Sequence, residues 1–377
     1  MHEYVIGKSG SGKSTFLQHH ILQNSGGFAV LDPHGDLAEK IADTIPCIYF
    51  DPADAEFPVG FDPHHNVPVA DRPLVAAQVL ASLKAIWADS WGYRLEYILI
   101  NCLRLLLDNA APIIALPRLL SDDNYRATLL LRCTDPTVIA FWQSEFDQWD
   151  HRFRSEAISP VQNKIGQLVG NPTLRNILSH STLNPPRIMN GGQRLIVNLS
   201  KGKLGEAPSH LLGALLVSSF ARAAETRAAI PEHERVPFTL YVDEFQNFAT
   251  ESFASILSEA RKFRLSIVAS HQFLGQIPER LRQAVFGNVG RFVSFRVGAE
   301  DAPIIAKELG LHNPEILTDL AQFEVWQRAG IQAEFARTSP APPSQGRLRA
   351  NRATARARYS RQRRQVEQRV AEYIATT

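Results

Sequence analysis

Gly7-Lys8-Ser9-Gly10-Ser11-Gly12-Lys13-Ser14 fits the pattern G-x-x-x-x-G-K-[ST] at every position. A run of this kind suits polyphosphate binding. Glycines let backbone N–H groups come close to phosphate oxygens, and the helix that follows turns its positive end toward them. Lys13 would reach the β- and γ-phosphates, and the Ser14 hydroxyl would take a position on Mg²⁺. A chain of this length and composition gives such a match by chance in roughly three cases per thousand. Far downstream, Phe238-Thr239-Leu240-Tyr241-Val242-Asp243-Glu244 is an apolar run ending in two carboxylates. At the tip of a neighbouring strand, Asp243 would complete the Mg²⁺ shell and Glu244 would polarise an attacking water. The next apolar run, from Leu265, ends in Ser270-His271-Gln272. A glutamine there can bond a γ-phosphate or the water, or simply cap a loop. Arg261 reads either as a solvated surface charge or as an arginine finger reaching a neighbouring subunit, with Arg291 and Arg296 as rivals. His19-His20 and His64-His65 lack a third ligand at metal-like spacing.

These residues need a parallel sheet to position them. Tyr4 to Gly7, Phe28 to Leu31 and Cys47 to Phe50 read as short buried strands, with helices over Thr15–Gln23 and Leu37–Ala42 between them. That alternation indicates an α/β core with crossover helices. From Pro73 to Leu107 apolar residues recur at helical spacing, with Val75, Val79, Leu83 and Ile86 on one face. Helical patterns continue to Leu178. Strand-like runs return at Arg194–Leu199, Phe238–Val242, Leu265–Ala269 and Phe292–Val297. The expected organisation is a core over 1–69 and 189–336, an all-α insertion over 70–188, and a Pro/Arg-rich basic tail over 337–377.

Apolar residues make up 45% of the 377 and charged residues 21%, enough to bury a core, so global disorder is excluded. No run of 18 apolar residues is present, which excludes a membrane-spanning helix within this sequence. No signal-peptide pattern is visible at the start. The three cysteines are far apart, which gives neither a disulfide framework nor a zinc site, and a reducing cytoplasmic location is the default expectation. The formal charge is +2, yet residues 338–377 hold nine Arg, no Lys and two Glu, so that stretch carries +7 and the rest about −5. Any argument from bulk charge toward DNA or acidic lipid therefore applies to the tail alone.

Taken together, the blocks Gly7–Thr15, Leu31-Asp32-Pro33-His34-Gly35-Asp36-Leu37, Trp91-Gly92 with Arg94-Leu95-Glu96, Val197–Gly202, Tyr241–Phe248, Leu257–Lys262, Gln272 and Phe295–Gly298 resemble the conjugative coupling-protein branch of the FtsK/HerA-type P-loop ATPases. The resemblance covers about 1–335. It implies a RecA-like P-loop NTPase core with an inserted all-α domain, ATP and Mg²⁺ as cofactors, and a homo-oligomer, usually a hexameric ring, that moves DNA. In coupling proteins the motor serves a type IV secretion channel, with secretion or relaxosome proteins as further partners and only peripheral membrane contact for a chain such as this. The nucleotide would be held by Gly7, Lys8, Ser9, Gly10, Ser11, Gly12, Lys13, Ser14 and Thr15, with Ser14 and Asp243 on the metal. Lys13, Glu244, Gln272 and a trans-acting Arg261 would carry hydrolysis. Family members usually have further core structure before the P-loop strand, and many have transmembrane helices there. Here that strand starts within a few residues of Met1, and the expectation is a fragment, a mis-started reading frame, or a core that lacks those elements. Two other readings compete with the motor: a nucleotide switch or assembly factor that does not pump DNA, and a non-catalytic DNA-binding module. The intact Lys13, Asp243, Glu244 and Gln272 argue against the last.

Overall fold

The computed structural model describes residues 1–249 and 251–374, the side chains of Glu251 and Ser252 excepted. The chain forms two compact units, one of Met1–Asp51 with Pro185–Ala355, the other of Pro52–Asn184 with the residues from Arg356 onward.

The first unit is built on β1 (His2–Ile6), α1 (Lys13–Gln23), β2 (Gly27–Asp32), α2 (Asp36–Thr44), β3 (Ile48–Phe50), β4 (Arg194–Asn198), β5 (Phe238–Val242), β6 (Leu265–His271), β7 (Val289–Ser294), β8 (Glu324–Arg328) and β9 (Ala333–Arg337). They form a nine-stranded sheet in the order β3-β4-β2-β5-β6-β1-β7-β8-β9. Strands β1 to β7 are parallel, and β8 and β9 add an antiparallel hairpin. The central strands are nearly continuous runs of Val, Ile, Leu and aromatics because both faces of a parallel sheet are covered. Val5, Val30, Ile196, Val268 and Val293 pack with Leu17, Ile21, Leu37 and Ile41 of α1 and α2. A helix over Glu206–Glu225 buries Leu211, Leu212, Leu215, Leu216 and Phe220, with Phe220 stacked on Phe238 at 5.5 Å. The register sets Ile6 beside His271 and Leu31 beside Val242. The carboxyl ends of β1, β2, β5 and β6 therefore lie along one edge, where open α/β sheets bind ligands.

The α/β expectation holds, with differences in detail. Strand β6 runs two residues beyond Ala269. Strand β7 begins at Val289 and ends at Ser294, leaving Arg296 exposed beyond it. The β8–β9 hairpin was not foreseen. Its outer strand, Ala-Glu-Phe-Ala-Arg, is largely exposed and charged, which suits a sheet edge but hides the alternation that marks a half-buried strand.

The second unit is helical. Tyr93–Asp108 is its central helix, burying Leu95, Ile98, Leu99, Cys102, Leu103 and Leu106. Helices over Arg72–Ile86 and His151–Gly170 pack against it. Its start at Pro52, rather than 70, reflects residues 52–68, which lack helical periodicity but are fastened to helical neighbours. Phe61 N–H donates to Ile177 O (2.9 Å), and His64 Nδ1 lies 3.1 Å from Ala111 O. The unit's first segment ends at Asn184 rather than 188. The tail is not a separate arm. Its residues 348–359 and 363–374 are helices, and the last three residues of the expected 337–377 segment lie outside the described residues. Asn351 donates to Ala42 O and Ile45 O, Arg352 pairs with Glu39 and Asp51, and Arg363 pairs with Glu56 and Glu367. Arg356 pairs with Asp54. Three of the nine tail arginines are thus shown paired with carboxylates. Among the described residues no helix is long and apolar enough to cross a membrane.

One buried carboxyl in the helical unit gives a pH prediction. Burial pushes Asp62 up to about 7, against the bond it accepts from His64 N–H and the charge of Arg369. A carboxyl raised on folding binds its proton more tightly in the folded state, so its contribution falls as pH rises from about 4 to 7. Asp62→Asn should match wild type near pH 4 and melt higher at pH 8, by up to about 4 kcal/mol in stability. Melting curves across that range check it, and equal curves at pH 8 would refute it.

Candidate nucleotide site

The loop between β1 and α1 is held at both ends by the end of β6, the segment after β7 and the turn before β8. Gly7 N–H donates to His271 O (3.3 Å), Lys8 N–H to Arg296 O (2.8 Å), and Ser11 O accepts from Phe323 N–H (2.9 Å). A Cβ on Gly7 would lie 2.4 Å from the Phe295 Cβ, so only glycine allows this approach. Gly12 has φ +108° and precedes the first helical turn, which no side chain caps. That turn leaves amide N–H groups without intrahelical acceptors, facing the cleft above them.

The cleft measures about 260 Å³, near the lower end for small-ligand sites. Lys8, Ser9, Gly10, Gly12, Lys13, Ser14 and Thr15 line it together with Asp243, Glu244 and Gln272. Gly7 and Ser11 are buried beneath the loop. The structure therefore gathers the sequence-derived candidates, except Arg261. That residue is exposed in the turn before β6, at the amino-terminal edge of the sheet, near Met1 and His2.

Lys13 is buried. Its Nζ donates to Gly7 O (2.9 Å) and lies 3.6 Å from Glu244 Oε1. Asp243 accepts from the Ser270 hydroxyl and from Glu244 N–H. Burial, reinforced by the Asp32 and Glu244 carboxylates, pushes Asp243 up to about 6, while Ser270 and Lys13 pull the other way. Glu244 Oε1 accepts from Gln272 Nε2 (3.0 Å) and Oε2 from Gln246 Nε2 (2.8 Å). Glu244 also has φ +46° and ψ +54°, a left-handed conformation that is uncommon for a residue with a side chain and costs on the order of 1–3 kcal/mol. Asn247 secures it, donating from N–H and from Nδ2 to Glu244 O at 3.0 and 2.9 Å. Asn247 Oδ1 in turn accepts from Lys201 Nζ (2.8 Å) and faces His210 Nε2 (3.1 Å).

Anion-seeking N–H groups and the Lys8 and Lys13 ammonium groups thus share one cleft with the Asp243 and Glu244 carboxylates. A polyphosphate with a divalent cation fits that charge pattern, and the Ser14 hydroxyl and Asp243 are the groups that would hold the cation. Among the described residues no three His, Cys, Asp or Glu side chains gather to hold a metal by themselves. Mg²⁺ needs no such cluster when phosphates and water complete its shell. Sequence reasoning missed Ser270, Gln246, Phe323 and the electrostatic part of Asp32. Period-two spacing gave a signal for Ser270 alone, which precedes Gln272 by two positions at the end of β6, whereas Gln246 lies in the one-turn helix Phe245–Asn247.

No protein-family profile matches the chain, and no curated protein matches it by sequence. Solved structures do. Unbound bacterial conjugative coupling protein TrwB, as its ΔN70 form, is 14% identical with a TM-score of 0.65, over 92% of this chain and 86% of that one. TrwB in complex with ADP and Mg²⁺ gives 15% and 0.65, over 92% and 87%. VirB4 of Thermoanaerobacter pseudethanolicus gives 14% and 0.55, over 90% of each chain. With its P-loop between β1 and α1 and its acidic tip on β5, the chain has the RecA-like P-loop fold shared by these conjugative coupling and VirB4 proteins.

Proposed function

We propose that the chain is an ATPase of the coupling type, a DNA-translocating motor that delivers DNA to a type IV secretion or conjugation channel. The observation that carries this reading is the convergence of Lys13, Glu244 and Gln272 on one cleft at the uncapped start of α1. The neighbouring TrwB structures are complexes with ADP and Mg²⁺ and with non-hydrolysable ATP and GTP analogues, which supports ATP and Mg²⁺ here.

In this reading the loop N–H groups and Lys13 hold the phosphates, and Ser14 and Asp243 hold Mg²⁺, which supplies charge neutralisation when bound. Glu244 orients the attacking water and accepts its proton, and Gln272 positions the Glu244 carboxylate. Catalysis of this kind rests on positioning and electrostatics more than on covalent chemistry. Arg261, exposed and outside its own chain's cleft, is assigned to the neighbouring subunit's site in a hexameric ring. Polar and basic groups lining the ring would grip DNA through backbone phosphates without reading sequence.

The test is steady-state ATP hydrolysis by the purified chain, with and without DNA, at two salt concentrations. Severalfold stimulation by DNA that fades at the higher salt is the expected result. Nucleotide binding with no effect of DNA on turnover would replace the motor with a nucleotide switch or assembly factor.

A further inference from the structure

The cleft has a second end that the phosphate chemistry does not use. Ala321 to Glu324 form a β-turn closed by Glu324 N–H to Ala321 O (3.2 Å), and Phe323 is its third residue. Phe323 has φ +69°, where glycine or asparagine is the usual occupant. Its backbone is pinned on both sides, by its N–H to Ser11 O (2.9 Å) and by Thr338 N–H to its carbonyl (2.8 Å). The ring is half-buried, lines the cleft, and lies so close to the loop that a Cβ on Gly12 would meet Phe323 Cδ1 at 2.7 Å. Among the described residues no aromatic ring or cation stacks on it.

Sheet order separates the two ends. The carboxylates and Gln272 come from the tips of β5 and β6 on one side of β1, and Phe323 comes from the turn before β8 on the other. A polyphosphate lying along the loop N–H groups with its terminal phosphate at Glu244 has its other end directed toward the Phe323 side. A bulky aromatic held in a conformation that disfavours it, on an open cleft, is the arrangement expected of a ligand clamp.

We propose that Phe323 is the platform on which the nucleobase of a bound nucleoside triphosphate stacks. The proposal rests on the nucleotide reading of the cleft. Stacking uses the π face, which every base has, rather than its hydrogen-bonding edge. The site should therefore accept adenine and guanine nucleotides within a fewfold of each other.

Calorimetry with Mg²⁺ and three probes tests it: a non-hydrolysable ATP analogue, the corresponding GTP analogue, and inorganic triphosphate. Wild type should bind both analogues at least tenfold more tightly than triphosphate. Phe323→Gly, which suits the positive φ and should melt no lower than wild type, should weaken both analogues by roughly ten- to a hundredfold and leave triphosphate unchanged. Phe323→Trp should restore analogue binding. Equal losses for analogues and triphosphate would make the ring a mere buttress of the loop and overturn the proposal, as would no loss at all. If wild type binds the analogues no better than triphosphate, the phosphate site stands and the platform falls. If wild type binds none of the three, the nucleotide reading itself fails.

Discussion

Lys13→Ala is expected to lower ATP turnover by at least about a hundredfold, the usual cost of removing one preorganised charged donor from an active site. The physical reason lies in the company Lys13 keeps. Its ammonium is buried, within 3.6 Å of Glu244, and its field acts on Asp243. A shorter side chain removes the buried cation beside Glu244 and leaves the Asp243 and Glu244 carboxylates with less compensation. Nucleotide affinity should fall as well, since repulsion then opposes the phosphates. Turnover measured against wild type at saturating ATP and Mg²⁺ checks this, and an undiminished rate would remove the chain from the P-loop ATPases in any catalytic sense.

Glu244→Gln is expected to separate binding from chemistry. The variant keeps the volume of the side chain and can still accept from Gln272 through its amide oxygen. It loses the carboxylate that takes a proton from water, and its amide nitrogen now meets the donor of Gln246. Hydrolysis should drop by about 10²–10⁴-fold, the range for a missing general base. Binding of a non-hydrolysable analogue should stay within a fewfold. A variant that hydrolyses at the wild-type rate would take the proton-accepting role away from Glu244.

The parts of this site that were legible in the sequence are those whose chemistry is local. The Gly7–Ser14 run, the apolar strand ending at Asp243-Glu244 and the next strand ending near Gln272 each announce themselves through a few consecutive residues. Sequence order alone could not say that β5 and β6 lie beside each other with β1 next, but parallel crossover rules leave few alternatives. Phe323 was not legible, because nothing near it in sequence marks a turn before an edge hairpin whose outer strand is charged. Ser270 gave only a weak signal and Gln246 none, as polar residues beside a motif are common in loops. The tail misled for a related reason. Nine arginines in forty residues read equally as a handle for DNA or acidic lipid and as a solvated tail with a short helix, yet the acidic residues that meet Arg352 and Arg363, at Glu39, Asp51 and Glu56, lie some three hundred positions earlier.

The anchoring of the β1–α1 loop has a thermodynamic consequence. Its backbone is tied to the end of β6, the segment after β7 and the turn before β8, so its conformational entropy is lost when the chain folds and not when a ligand arrives. A binding loop that is already ordered absorbs little of the free energy of association. That free energy is then left to act on the two strained residues at opposite ends of the same cleft, Glu244 and Phe323, whose left-handed backbones a bound ligand can either hold or release.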